Sequence, residues 1–358
     1  MGFSGELGLQ FTLQVASHYT TTELADLAGM AARSGFDQVW LSDALRYRNV
    51  LVVAAAIASK APLKIGTAIL VPYFRNPVDV AGALLALSEL TGGREISLGI
   101  AKGSKGQVPQ YVHMSKPFRV VRESVGFWQR LLGGEEVKFS DYPALCAYFQ
   151  LNEDGHIRLA ALPKSPVLFY GGGVGPRFLK IAGEIMDGVL IGGYFITMLR
   201  LGRLEQALAG AEQAARAANP KKKLRKVCEL NLAVASDGER AVAEAKKYTA
   251  HHMVSLQALG YTPEEFGRLG IDYAQVDRLR EGLHAGMTIE EAARDLVTDA
   301  MARACFVAGS PGQCVEPVLE LAGQAQRLGF DQISFAKLGP DYAETIRFLS
   351  AEILPKLR

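Results

Sequence analysis

The chain has 358 residues, 49% of them hydrophobic and 21% charged, with a formal net charge of +2 at pH 7. Length alone allows two domains, but α/β barrels routinely use this much chain as one unit, and near-neutral charge removes the electrostatic case for nucleic acid, which needs a clustered basic face. No apolar stretch reaches a membrane span, the N-terminus lacks the basic and apolar regions of a secretion signal, and Cys146, Cys228, Cys305 and Cys314 form no CxxC pair; a reduced, cytoplasmic protein without a disulfide framework or metal site is expected.

Short apolar runs read as strands at Leu7 to Leu13, Gln38 to Leu41, Ile65 to Leu70, Ile96 to Ile100, Val167 to Tyr170, Gly188 to Ile191, Glu229 to Ala235 and Gln332 to Ala336. Helices between them open on recognisable signals. Thr20 with Glu23 makes a capping box, Asn76 precedes Pro77, and Ser310 is followed by Pro311 and Gln313. The tetrapeptide GFDQ recurs at 35–38 and 329–332, each time between a helix and a strand, and AGEIMDG at 182–188 looks like a third such junction. In all three, glycine suits the left-handed position that ends a helix. Alike junctions near both ends suggest equivalent units of a closed ring, so eight alternating strands and helices predict a single (β/α)8 TIM barrel over 1–358. Two stretches exceed the minimal ring. Residues 134–164 fit a hairpin inserted before strand five, and residues 253–304 a helical insertion between strands seven and eight, where long loops usually form a lid. The basic run Lys221 to Lys226, after Asn219-Pro220, reads as a solvated loop.

Residues 166–193, PVLFYGGGVGPRFLKIAGEIMDGVLIGG, carry the strongest functional pattern. They read as strand, glycine turn, helix, strand. Gly172, Gly173, Val174 and Gly175 bring consecutive amides near a ligand, Pro176 opens the helix, and Arg177 adds a positive charge at the positive end of the helix dipole. Phosphate is the ligand such a turn fits. The other reading is a tight βα turn without one. The spacing GGGVG is neither the GxGxxG of a dinucleotide fold nor a P-loop.

Five segments together resemble the luciferase-like flavin superfamily, most closely its methylenetetrahydromethanopterin reductase branch: GFDQVWLSD followed by Arg48-Asn49-Val50, IGTAILVPYFRNPVDVA, LSELTGGREISLGI, YGGGVGPRFLKIAGEIMDGVLI and AGSPGQCVE. The resemblance implies a bacterial luciferase-like barrel holding coenzyme F420, a deazaflavin, or alternatively FMN, at its C-terminal mouth. It implies a bulge with a non-proline cis peptide at Ala68-Ile69 behind the flavin ring. Cofactor contacts are implied for Thr67, Ala68, Ile69, Leu70, Lys102 and Ser104, and for the phosphate turn Gly172 to Gly175 with Arg177. Asp43 and Gln10 are the catalytic candidates it leaves, with Arg46, Tyr47, Tyr73 and Arg75 toward the substrate; for Asp43 the alternative is a turn cap or a pair with Arg46.

Three positions depart from the reductase pattern. Ala44 stands where the reductases usually carry His, Gln10 where that branch often has Glu, and Ser104 where the family has Asp. Each change removes a titratable group, so a proton relay at this site needs another residue. The reading is an oxidoreductase passing a hydride between deazaflavin and a small organic molecule, forming a homodimer or higher homo-oligomer; the alternatives are an FMN-dependent monooxygenase and a flavin-binding protein without turnover.

Overall fold

The computed structural model describes residues 3–14, 16–103 and 108–358. Among the described residues are eleven strands: β1 (Glu6–Phe11), β2 (Gln38–Leu41), β3 (Lys64–Leu70), β4 (Ile96–Ile100), β5 (Val137–Lys138), β6 (His156–Ile157), β7 (Val167–Gly172), β8 (Gly188–Ile191), β9 (Arg225–Val234), β10 (Val307–Gly309) and β11 (Gln332–Ala336). The order β9-β11-β1-β2-β3-β4-β7-β8 returns from β8 to β9, closing eight parallel strands into the expected (β/α)8 barrel. All residues of β2, β4, β8 and β11 are buried. That pattern belongs to parallel strands covered by helices on one side and by the barrel interior on the other. The short β10, which pairs parallel with β9, was not expected from the sequence. Its three residues are too few to stand out from the loop around them.

Helix starts follow their local chemistry. The Glu23 amide donates to the Thr20 hydroxyl at 3.2 Å and the Thr20 amide to the Glu23 carboxylate at 2.6 Å, satisfying two end amides reciprocally. Asn76 Oδ1 accepts from Val78 N at 2.9 Å, and the Gln313 side chain from Ser310 N at 2.8 Å. At the two GFDQ junctions Gly35 (φ 91°) and Gly329 (φ 69°) are left-handed, as a glycine helix terminus requires. The third junction differs. Gly183 lies inside the helix Pro176–Ile185, where a Cβ would stand 2.1 Å from the Ala211 carbonyl oxygen. Its glycine serves close helix packing, not a turn.

The chain forms two compact units. One is built on residues 8–190 and 209–227. Trp40, Ala68, Tyr170, Leu190 and Val227 form a hydrophobic cluster in its core, with Trp40 and Tyr170 meeting edge to face at 5.6 Å. Within 134–164, β5 and β6 pair antiparallel around the helix Pro143–Phe149. The other unit is built on 191–208 and 228–358 with the first residues of the chain. Here residues 253–304 pack onto the helix Gly238–Ala258 through a core of Met253, Leu256, Phe266, Val276, Leu279 and Met301. Among the described residues no helix is long and apolar enough to cross a membrane.

Candidate active site

The C-terminal end of β3 carries a bulge. Its register against β4 shifts between Thr67 and Leu70, and the Ala68-Ile69 peptide is cis. Gln10, buried on β1, donates its Nε2 to the Ala68 carbonyl at 2.9 Å, so it positions the bulge directly. The Thr67 hydroxyl donates to the Gly99 carbonyl at 2.9 Å, and Leu70 is fully buried. Ile69 is half-buried, and its Cγ2 occupies the space a Cβ on Gly172 would need, 2.1 Å away. Gly172 therefore lets the bulge pack against β7.

Asp43 closes the loop after β2. Its carboxylate takes both prongs of the Arg75 guanidinium, at 2.6 and 2.9 Å, and the Val71 amide at 3.2 Å. The partner is thus Arg75, not the neighbouring Arg46. This commits Arg75, expected toward the substrate, to holding the segment beyond β3. Tyr73 is only 2% exposed, donates to the Ser115 carbonyl at 2.8 Å and packs edge to face on Tyr148. Burial raises its phenol pKa well above the ordinary value. That packing corrects its placement as an open substrate contact. Arg46 is exposed with its guanidinium 5.5 Å above the Tyr47 ring, and Lys102 is half-buried beyond β4. Ser104 lies outside the described residues.

The glycine turn is narrower as an anion cradle than its sequence implied. Gly172 belongs to the β7–β8 ladder, and the Gly173 amide donates to the Leu190 carbonyl at 3.2 Å. What remains for a ligand is Val174 and Gly175, leading into the ten-residue helix Pro176–Ile185. A Cβ on Gly175 would meet nothing within 4 Å, so the space before this helix is open. Arg177 is exposed and lies 4.6 Å over the Phe118 ring, at the first turn of the same helix. An open helix N-terminus beside a cation suits the phosphate of F420 or FMN. At the bulge of β3, Ile69 lies half-buried against Gly172. The residues present fit such a cofactor.

The second unit holds a polar cluster that sequence reasoning missed. Glu229 on β9 is 5% exposed and accepts the Gly193 amide. A Cβ on Gly192 would stand 3.4 Å from its Oε2. Burial pushes the Glu229 carboxyl up to about 7 although Lys337, just beyond β11, pulls it down. Burial also lowers the Lys337 ammonium, against the attraction of Glu229. Two residues along β9, Asn231 donates Nδ2 to the carbonyls of Gly193 (2.8 Å) and Cys305 (3.1 Å). Its Oδ1 is buried without a hydrogen-bond partner among the described residues. His252 stacks on Tyr194 at 4.4 Å, and burial followed by the Lys337 charge drives its imidazole down to about 3, so it is neutral at ordinary pH.

A cleft of about 480 Å³ opens elsewhere, at the N-terminal ends of β4, β7, β8 and β9. Its charges are already used by the chain: Arg225 pairs with Glu95 at 2.9 Å, Asp187 accepts from Phe169 N at 2.8 Å, and Lys222 donates to the Gly183 carbonyl at 2.8 Å. This is the end of a barrel that serves stability. Among the described residues no group of three or more His, Cys, Asp or Glu side chains is placed to hold a metal.

A family model described as luciferase-like monooxygenase matches residues 7–332. The chain belongs to this family. Over 98% of its length it is 27% identical to the 5,10-methylenetetrahydromethanopterin reductase of Archaeoglobus fulgidus, covering all of that protein. It is 26% identical to the F420-dependent glucose-6-phosphate dehydrogenase of Nakamurella multipartita, over 96% of this chain and 94% of that one. The solved coenzyme F420 dependent tetrahydromethanopterin reductase of Methanopyrus kandleri superposes with a TM-score of 0.75 at 22% identity, covering 99% of both chains. The matches to relatives of both kinds thus run over nearly the whole of this family member's chain.

Proposed function

We propose that this luciferase-like enzyme uses coenzyme F420 to move a hydride to or from a small organic substrate. The observation that carries the reading is the pairing of a bulged β3 end at Thr67 to Leu70 with an open helix N-terminus at Val174 to Arg177. F420 is favoured over FMN because relatives matched over nearly the full chain are named for F420 or for a reductase of the same pterin. When bound, the deazaflavin supplies a carbon that accepts or gives a hydride. The protein supplies orientation. Val174, Gly175 and Arg177 hold the phosphate, Ile69 backs the ring, and Gln10 fixes the Ala68 carbonyl beneath it. Asp43 and Arg75 hold the segment that follows, which makes Asp43 a positioning residue in this reading.

Calorimetry with oxidised F420 and with FMN tests the cofactor. Tighter binding of F420 is expected. Tight FMN binding with none for F420 overturns the reading in favour of a monooxygenase. The substrate class is approached by anaerobic assay with methylenetetrahydromethanopterin, alcohols, imines and enones. Four buried, unpaired cysteines agree with a reducing, intracellular setting. Exposed apolar side chains on the helices Val50–Lys60 and Pro77–Leu90, Val52 at 61% and Leu90 at 43%, agree with a homo-oligomer.

A further inference from the structure

Asn231 carries a buried acceptor that the described residues leave unused. Its Nδ2 donates to the carbonyls of Gly193 at 2.8 Å and Cys305 at 3.1 Å, which fixes the amide's orientation, because turning it over would set its oxygen against two others. Oδ1 therefore has one direction only, and there it meets no hydrogen-bond partner among the described residues, although Asn231 is just 2% exposed. A buried oxygen left so costs stability unless something else supplies the donor.

Glu229 stands beside it on the same face, two residues back along β9. Both side chains are tied to Gly193, whose amide donates to the Glu229 carboxylate and whose carbonyl accepts from Asn231. The chain that covers them is cut back over both acceptors. A Cβ on Gly192 would stand 3.4 Å from Glu229 Oε2, and one on Gly193 would stand 3.2 Å from Asn231 Oδ1. Neither glycine adopts the left-handed φ that calls for this residue, so what the missing side chains leave is room above the two oxygens. Gly192 and Gly193 are themselves only half-buried, which opens this room toward solvent. Further contacts of the carboxylate do not close it, since each carboxylate oxygen accepts more than one donor. Lys337 sets a positive charge against Glu229 and against His252, which packs on Tyr194 and is neutral at ordinary pH. That charge disfavours a cationic ligand and leaves a neutral donor unopposed. All these groups belong to the unit of 191–208 and 228–358.

We infer that Asn231 Oδ1 and Glu229 Oε2 form a binding site for a neutral molecule bearing two adjacent hydroxyl groups, one hydroxyl donating to each oxygen. Gly192 and Gly193 are the residues that keep the site open. The inference concerns recognition alone and stands whether or not the chain binds a flavin or a deazaflavin.

The test watches the Asn231 amide directly. In full-length protein carrying ¹⁵N in asparagine side chains, its signal is assigned by loss in Asn231→Asp or, should that variant not fold, by its displacement in Gly193→Ala. In the wild type, cis-cyclohexane-1,2-diol is expected to move the signal saturably. Three probes on the same ring isolate the chemistry: the dimethyl ether of the diol, which has no donor, cyclohexanol, which has one, and cyclohexylammonium, which is charged. Each is expected to bind at least tenfold more weakly than the diol. Gly193→Ala, which crowds Oδ1, should abolish the diol response, and Gly192→Ala, which crowds Oε2, should bring the diol down to the level of cyclohexanol. Equal responses to diol and ether, tighter binding of the ammonium, or a full diol response in both glycine variants overturns the inference. So does the absence of a saturable shift with every probe, which would leave a buried water as the only partner of Oδ1. These comparisons on the wild type decide the matter even where a glycine variant fails to fold.

Discussion

Asp43 and Arg75 meet in a two-pronged ion pair, at 2.6 and 2.9 Å, with the Asp43 side chain fully buried and that of Arg75 only 11% exposed. The pair ties the loop after β2 to the segment after β3, and the Val71 amide adds a third contact to the same carboxylate. Removing one member of a buried pair leaves the other charge uncompensated, at about 3 to 5 kcal/mol. Asp43→Asn should therefore lower the unfolding free energy by roughly that amount, measured by urea denaturation, and weaken F420 binding as the bulge loses its support. Arg75→Lys keeps the charge but not the fork and should cost less. A stable Asp43→Asn protein with normal F420 affinity and reduced turnover would instead return Asp43 to the chemistry.

The pairing shows why some of the site was legible in sequence and some was not. Apolar runs, capping boxes and the repeated GFDQ report local physics, and the barrel follows from them. Residue 43 reads as a loop carboxylate with Arg46 close by, because a contact with Arg75, 32 positions on, depends on which strands become neighbours. Glu229 was hidden differently. It opens an apolar run and passes for the edge of a strand, yet Glu229 and Asn231 two residues apart in CELNLAVA put two polar groups on one face of a buried strand. That parity was the available signal. The packing of His252 on Tyr194 is a tertiary contact that no local pattern reports.

Gly175 offers a clean test of the phosphate turn. Its backbone has an ordinary extended conformation (φ −73°) and its Cβ position is empty, so Gly175→Val should leave stability within about 0.5 kcal/mol. The added side chain stands where the cofactor phosphate would approach, and calorimetry should show F420 affinity reduced at least tenfold. Arg177→Ala should cost roughly 1.5 to 3 kcal/mol of binding if its guanidinium leaves Phe118 for the phosphate. Unchanged affinity in both would move the phosphate elsewhere.

Gln10 donates to the Ala68 carbonyl from a position only 2% exposed. Gln10→Leu keeps the volume and leaves that carbonyl without this donor, at about 1 to 3 kcal/mol. Equal stabilities of Gln10→Leu and wild type in urea would show that the carbonyl is satisfied another way. Gln10→Glu should do worse near neutral pH, since a carboxylate cannot donate.

Assembly is tested at Val52, which is 61% exposed on the helix Val50–Lys60. If the outer faces of this helix and of Pro77–Leu90 bury each other's copies, Val52→Asp places a charge in an apolar interface and light scattering should show a smaller species. An unchanged mass from Val52→Asp would put the interface on another face.

The pH dependence of stability separates Glu229 from His252. Glu229 has its folded pKa raised from 4.5 to about 7, so between those values the folded protein holds more protons than the unfolded chain, and stability falls as pH rises through that window. His252 is lowered from 6.5 to about 3, so the unfolded chain holds more protons there, and stability rises with pH up to 6.5. From 4.5 to 6.5 the two oppose each other. Glu229→Gln should remove the falling component and leave a stability that climbs with pH toward 6.5. His252→Gln should do the reverse, with stability declining from about 4.5 upward. The two midpoints, read from urea titrations at successive pH values, should therefore move in opposite directions near pH 6. Parallel behaviour of the two variants would mean that the two groups do not titrate independently but are coupled through the Lys337 charge, which bears on both.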